Sequence, residues 1–181
     1  MRVNDPFSDF ISLNVKESIW EHFYTVAPLV VIGTKEDQGF DLAPKHMATP
    51  LGFSDFFGFV CTPRHNTYHN IKKHSRFSVS FVKPDQVLLS SLAAMPRSAV
   101  NDFTKEITNE IPTVEGLDGE VIFVKDSYVM FDCSLHQIID GFDDYSLITG
   151  RIDQAMVHKD FKIVSDEEHQ KQIYDHPLLA Y

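Results

Sequence analysis

The chain has 181 residues, 43% of them apolar and 12% aromatic. That is enough for one domain with a sizeable core, and too apolar for a chain disordered along its whole length. With 26 acids against 16 bases the formal net charge is −10, which disfavours nucleic acid as a partner, because an extended interface with it needs a broad positive surface.

No apolar run approaches membrane-spanning length, and the stretch MRVNDPFSDFISLN has no apolar leader core. Cys61 and Cys133 lie inside apolar runs, as free buried thiols in a reducing compartment would. A cytoplasmic protein with no membrane contact is the expectation.

In chain order, Asn14 with Glu17 predicts a capping box for a short helix over residues 15–26, with Ile19, Phe23 and Val26 on one face and Pro28 ending it. PLVVIGT, the polar turn KEDQG and FDLAPKHMATP then form a hairpin pattern. Pro44 implies an edge or irregular position there, because it cannot donate to a ladder. FFGFVCT predicts a third strand with Phe57, Phe59 and Cys61 on one face.

NTYHNIKKHS reads as a short helix starting near Asn66 or Thr67, and RFSVSFV as a half-buried fourth strand. Residues 83–112 read as a helical or irregular insertion. Two or three long strands follow from Gly119 to Asp160, joined by GFDD, and the polar tail is expected to begin as a helix. Six or so strands on short turns, with few helices, predict a mainly β, closed or partly open small barrel with helical additions, as one domain over residues 1–181.

Phe56 to Pro84 contains no Asp or Glu, yet holds Arg64, Lys72, Lys73, Arg76 and Lys83 with His65, His69 and His74. This acid-free window in an acidic chain suggests a docking place for an anion. At its centre a turn on Pro63 leads into the helix, where backbone N–H groups, the Arg64 guanidinium and the Thr67 hydroxyl could meet a phosphate. The plainer reading makes Asn66 or Thr67 an ordinary N-cap, and Lys72, Lys73 and His74 complements to the helix C-terminus. His65 and His69 share i, i+4 spacing, but no third ligand is near, so no metal site is expected. Upstream, the small residues Ala43, Ala48 and Thr49 would let a flat ligand approach the irregular strand, with Lys45 to offset charge.

Together LVVIGTKEDQGFDLAPKHMATP, GFVCTPRHNTYHNIKKHSRFSVSFV and YSLITGRI resemble the flavin reductase-like family of FMN-binding split-barrel proteins, over about residues 20–160. Thr67, Asn70 and Ile71 match its T-x-x-N-I helix start, and Ala43–Pro44–Lys45 match its A-P segment. The resemblance implies a six-stranded antiparallel split β-barrel that forms a homodimer and binds FMN, with FAD as the other flavin and NAD(P)H as co-substrate. It implies an NAD(P)H-dependent flavin reductase, or a flavoprotein with another electron donor or acceptor, or a barrel that binds flavin or another anion without catalysis.

By the same resemblance the phosphate would meet Arg64 and Thr67, while the ring lies along Lys45, His46, Met47, Ala48 and Thr49, with Cys61, Thr62 and Pro63 nearby and Asn70 in the helix start. Ser80 falls where relatives often carry Asn. Two positions depart from the pattern. Asp41 stands in the N-x-A-P match, and Tyr145, preceded by Asp144, stands where many reductases place a His beside the nicotinamide. Tyr145 itself is expected to face the core.

Overall fold

In the computed structural model residues 9–23, 27–94 and 110–162 are described, with Ser165, Glu167 and Lys171 beyond them. The predicted helical stretch over residues 99–108, and most of the polar tail, lie outside the described residues. No described helix is long and apolar enough to cross a membrane.

Among the described residues nine strands form: β1 Val30–Lys35, β2 Phe40–Lys45, β3 Ala48–Pro50, β4 Phe56–Cys61, β5 Arg76–Phe81, β6 Thr113–Glu115, β7 Ile122–Val124, β8 Val129–Phe142 and β9 Tyr145–Val157. The α-helices described beside them are α1 Asn66–His74 and α2 Val87–Leu92. The main sheet is antiparallel, in the order β2-β1-β5-β8-β9-β4-β3. β2 and β3 stand at its opposite ends, yet only His46 and Met47 separate them in the chain. One bent segment therefore pairs with β1 at its start and with β4 at its finish, and Val60 N–H donates to Met47 C=O at 2.9 Å inside the bend. Counted as one strand, this segment gives the six-stranded split barrel that the sequence predicts.

Ring contacts show how far the sheet curls. β8 and β9 lie between β5 and β4 in hydrogen-bonding order, but Phe77 of β5 and Phe59 of β4 meet edge to face with centroids 5.4 Å apart. These rings, with Phe57, Val30, Ile32, Val79, Cys133 and Ile148, are buried in one cluster. β8 and β9 bend around it through register shifts between Asp132 and Cys133, Leu135 and Gln137, and Asp140 and Phe142. Phe57, Phe59 and Cys61 share the buried face as predicted, and both cysteines are free and buried.

Gly150 of β9 lies against the same rings. A Cβ there would come within 2.4 Å of Phe77 Cζ and 3.1 Å of the Ser134 carbonyl oxygen, so only glycine lets the barrel close at this point. Gly150→Ala is expected to cost roughly 1–3 kcal/mol by forcing a fully buried ring aside. A denaturant midpoint unchanged from wild type would contradict that close approach.

Two expectations need correction. β5 is buried on both faces rather than one. The β6–β7 hairpin covers its outer side: Ser78 donates to the Ile122 carbonyl, Ser80 accepts from Val124 N–H at 3.0 Å, and Val31, Leu42, Val82, Ala93, Ile111 and Val124 form a second apolar layer. The helix predicted over 15–26 is a single 3-10 turn at Ile19–Glu21, with residues 24–26 outside the described residues. Asn14 and Glu17 bond each other at 2.8 Å and Asn14 accepts from Lys16 N–H, a local turn that competes with helix. Phe23, 43% exposed, meets the Trp20 ring at 5.7 Å, itself 62% exposed, a contact within the segment that does not pin a longer helix to the barrel.

Candidate functional site

β4 ends at Cys61, and the chain turns at once. His65 N–H donates to Thr62 C=O at 3.1 Å, closing a four-residue turn with Pro63 at its second position, and Arg64 N–H donates to the Thr62 hydroxyl at 3.3 Å. This turn delivers the N-terminus of α1. Tyr68 and Ile71 fix the helix by joining the barrel cluster, and Ser75, in the left-handed region at φ 57°, ends it.

The N-cap is His65, not Asn66 or Thr67, and it makes no side-chain cap bond. The turn itself moves the cap forward, because His65 already has the extended backbone (φ −93°, ψ 142°) an N-cap needs. Thr67 is 2% exposed, and its hydroxyl makes no hydrogen bond among the described residues. A helix start without a side-chain cap, with a hydroxyl in its first turn, offers the donors a phosphate takes.

Two flanks border this turn. On one, Lys45 Nζ lies 3.5 Å from His65 Nδ1, tying the end of β2 to the helix cap. Lys45 and Asp41 both act on the buried Cys61 thiol. Burial pushes that thiol's pKa up, the Lys45 ammonium pulls it partly back, and Asp41 raises it slightly. The Cys61 side chain is turned into the core, so it supplies a wall and not a nucleophile at neutral pH.

On the other flank an open cleft of about 300 Å³ is lined by Thr62, Pro63, Arg64 and Tyr68, and by the β8–β9 turn with Asp140, Asp143, Asp144, Tyr145 and Ser146. Arg64 forms an ion pair with Asp144, both side chains well exposed, at 75% and 69%. Ser146 donates to Asp140 at 2.6 Å, and Tyr68 OH donates to the same carboxylate oxygen at 3.4 Å.

Of the residues singled out in the sequence, Thr62, Pro63 and Arg64 line the cleft, and Thr67 sits in the adjoining helix turn. Lys45 reaches the cap, while His46 and Met47 form the exposed bend, followed by buried Ala48 and exposed Thr49. Two residues are engaged elsewhere. Asn70 donates to Thr34 at 3.0 Å and Glu36 at 3.4 Å, and Ser80 faces the β6–β7 layer. Tyr145 is not a core aromatic: it is 51% exposed at the cleft rim, because β9 begins beyond the end of the barrel.

The acid-free window is not one free basic patch either. Its cations meet the chain's own acids: Arg64 meets Asp144, Lys73 meets Asp37, and Arg76 meets Asp118 and Asp132. Lys83 lies over the Phe161 ring at 5.6 Å, and Lys72 over Tyr68 at 5.9 Å. Sequence reasoning missed Tyr68, Asp140 and Ser146, whose proximity arises only when the helix docks beside the distant β8–β9 hairpin.

The family model described as flavin reductase like domain matches residues 23–174, most of the chain. The chain belongs to this family. Membership supports a flavin-related oxidoreductase function. No curated protein matches the chain in sequence.

Among solved structures it is similar to flavoredoxin from Methanosarcina acetivorans, with TM-score 0.73 and 15% identity, covering 94% of this chain and 84% of that one. It is also similar to an FMN-binding protein from Thermus thermophilus with bound p-hydroxybenzaldehyde, with TM-score 0.70 and 20% identity over 84% and 83% of the two chains. A third is the NADH:FAD oxidoreductase of Streptomyces globisporus, with TM-score 0.69 and 12% identity over 82% and 87%. At these identities the likeness is one of fold. The flavin reductase-like split barrel is thus common to all of them, and what each does with it is carried by its own site residues.

Proposed function

We propose that the protein binds FMN and acts as an NAD(P)H-dependent flavin reductase. The observation that carries this reading is the start of α1, where the N-cap His65 makes no side-chain cap bond, Thr67 supplies a hydroxyl and Arg64 supplies a guanidinium. These residues would hold the phosphate, with the helix dipole adding to the attraction. The bend from Lys45 to Thr49, with small Ala48, would wall the ring, and Lys45 would offset negative charge beside it. When bound, FMN supplies a ring that accepts and returns a hydride. The chain's part is to position that ring, exclude water from one side of it and set the local charge.

A homodimer belongs to the same reading. Exposed Phe10, Ile11 and Trp20 on the N-terminal segment, with Phe53 on the β3–β4 loop, are the apolar surface it could cover.

A second reading, FMN used with a different donor or acceptor, is favoured by one observation. Tyr145 stands exposed at the cleft rim, at the position where, by the resemblance, many reductases carry a His, so an imidazole to orient a nicotinamide would be missing there. Steady-state oxidation of NADH and NADPH with added FMN separates the two. Turnover with either nucleotide supports the reductase, whereas FMN binding without turnover supports the second reading.

A further inference from the structure

The Arg64–Asp144 pair joins two segments 80 residues apart, the turn before α1 and the turn between β8 and β9. Asp144 is not alone in its position. The two-residue turn puts Asp143 beside it, at φ 53°, and Asp140 completes an acidic wall on the same cleft. Asp140 is held in place by the Ser146 and Tyr68 hydroxyls. Arg64 therefore stands between the start of α1, which attracts an anion, and three carboxylates, which repel one.

We propose that Asp144 is a selectivity residue of the flavin site: it competes with the ligand phosphate for Arg64, so that the site accepts a flavin monophosphate and disfavours a diphosphate. The proposal rests on the reading that places the FMN phosphate at the start of α1. A single phosphate can take Arg64 from Asp144, because an exposed ion pair is a weak hold and the helix amides add donors that Asp144 lacks. A diphosphate such as that of FAD brings a second charged group toward Asp140, Asp143 and Asp144; of the hydroxyls on that side Ser146 and Tyr68 already donate to Asp140, and the exposed Tyr145 phenol carries no charge to offset it. The selectivity comes from like charge on one side of a shared guanidinium, not from the size of the cleft.

The test is flavin fluorescence titration of the full chain with FMN, FAD and riboflavin, for wild type and for Asp144→Asn, Asp143→Asn and Arg64→Ala. Asp144→Asn keeps the side-chain shape and removes the charge, and Asp143→Asn makes the same net-charge change without touching the pair. The expected result is an FMN affinity roughly three- to fivefold tighter for Asp144→Asn, a larger gain for FAD, and a smaller change for Asp143→Asn. Riboflavin, which has no phosphate, should bind both variants as it binds wild type.

Equal FMN gains in the two Asn variants would make the effect one of overall charge and overturn the proposal. Unchanged FMN and FAD affinities in Asp144→Asn, with Arg64→Ala still weakening FMN, would overturn it while leaving the phosphate site standing. FMN affinity unchanged in Arg64→Ala would remove both. Asp144→Glu, which restores the charge, should return affinities toward wild type, an outcome that a turn merely disturbed by substitution would not give.

Discussion

Arg64→Ala is expected to weaken FMN binding by roughly 1.5–3 kcal/mol, about ten- to hundredfold in affinity, the worth of a charge-assisted hydrogen bond to phosphate. The side chain is well exposed and its partner in the free protein is the equally exposed Asp144, so its loss should leave the fold intact. Thermal unfolding without ligand should therefore be nearly unchanged, while the stabilisation gained on adding FMN falls in step with the weaker binding. Equal FMN affinity in variant and wild type would take the guanidinium out of the site.

The largest loss of stability is expected from Phe59→Ala, roughly 3–5 kcal/mol. Phe59 is fully buried, packs edge to face on Phe77, and lies opposite Ala48 and Ile148 in the neighbouring strands. Removing it opens a cavity at the point where two strands that are not hydrogen-bonded to each other meet. A loss of that size is a large part of the 5–15 kcal/mol usual for a whole domain. Phe53→Ala, on the fully exposed ring of the β3–β4 loop, is expected to stay within about 0.5 kcal/mol. Chemical denaturation of both variants checks the contrast. A mild effect at Phe59 would mean that β4 and β5 do not face each other across one core.

The strands were legible because each carries its own signal. β-branched runs gave β1, alternating Phe57, Phe59 and Cys61 gave β4, and Pro63 before NTYHNIKKH gave the turn and helix. Whatever depends on distant chain segments was not legible. Ser78 and Ser80 look like the wet face of β5, but residues 113–124 fold over them. The acid-free window looks like a free basic patch because its partners, Asp37, Asp118, Asp132 and Asp144, lie outside it in sequence. Tyr145 looks like a core aromatic by alternation, but its strand runs beyond the barrel's end. Local pattern thus gave most of the elements and the turn proposed to meet the phosphate, while the pairing of Asp144 with Arg64 emerged only from the fold.

A crystal structure of the chain with FMN is the most direct measurement. The phosphate is expected within hydrogen-bonding distance of the Arg64 guanidinium, the Thr67 hydroxyl and the first-turn N–H groups of α1, with the Arg64–Asp144 pair opened. FMN seated elsewhere on the barrel, with that pair still closed, would contradict it.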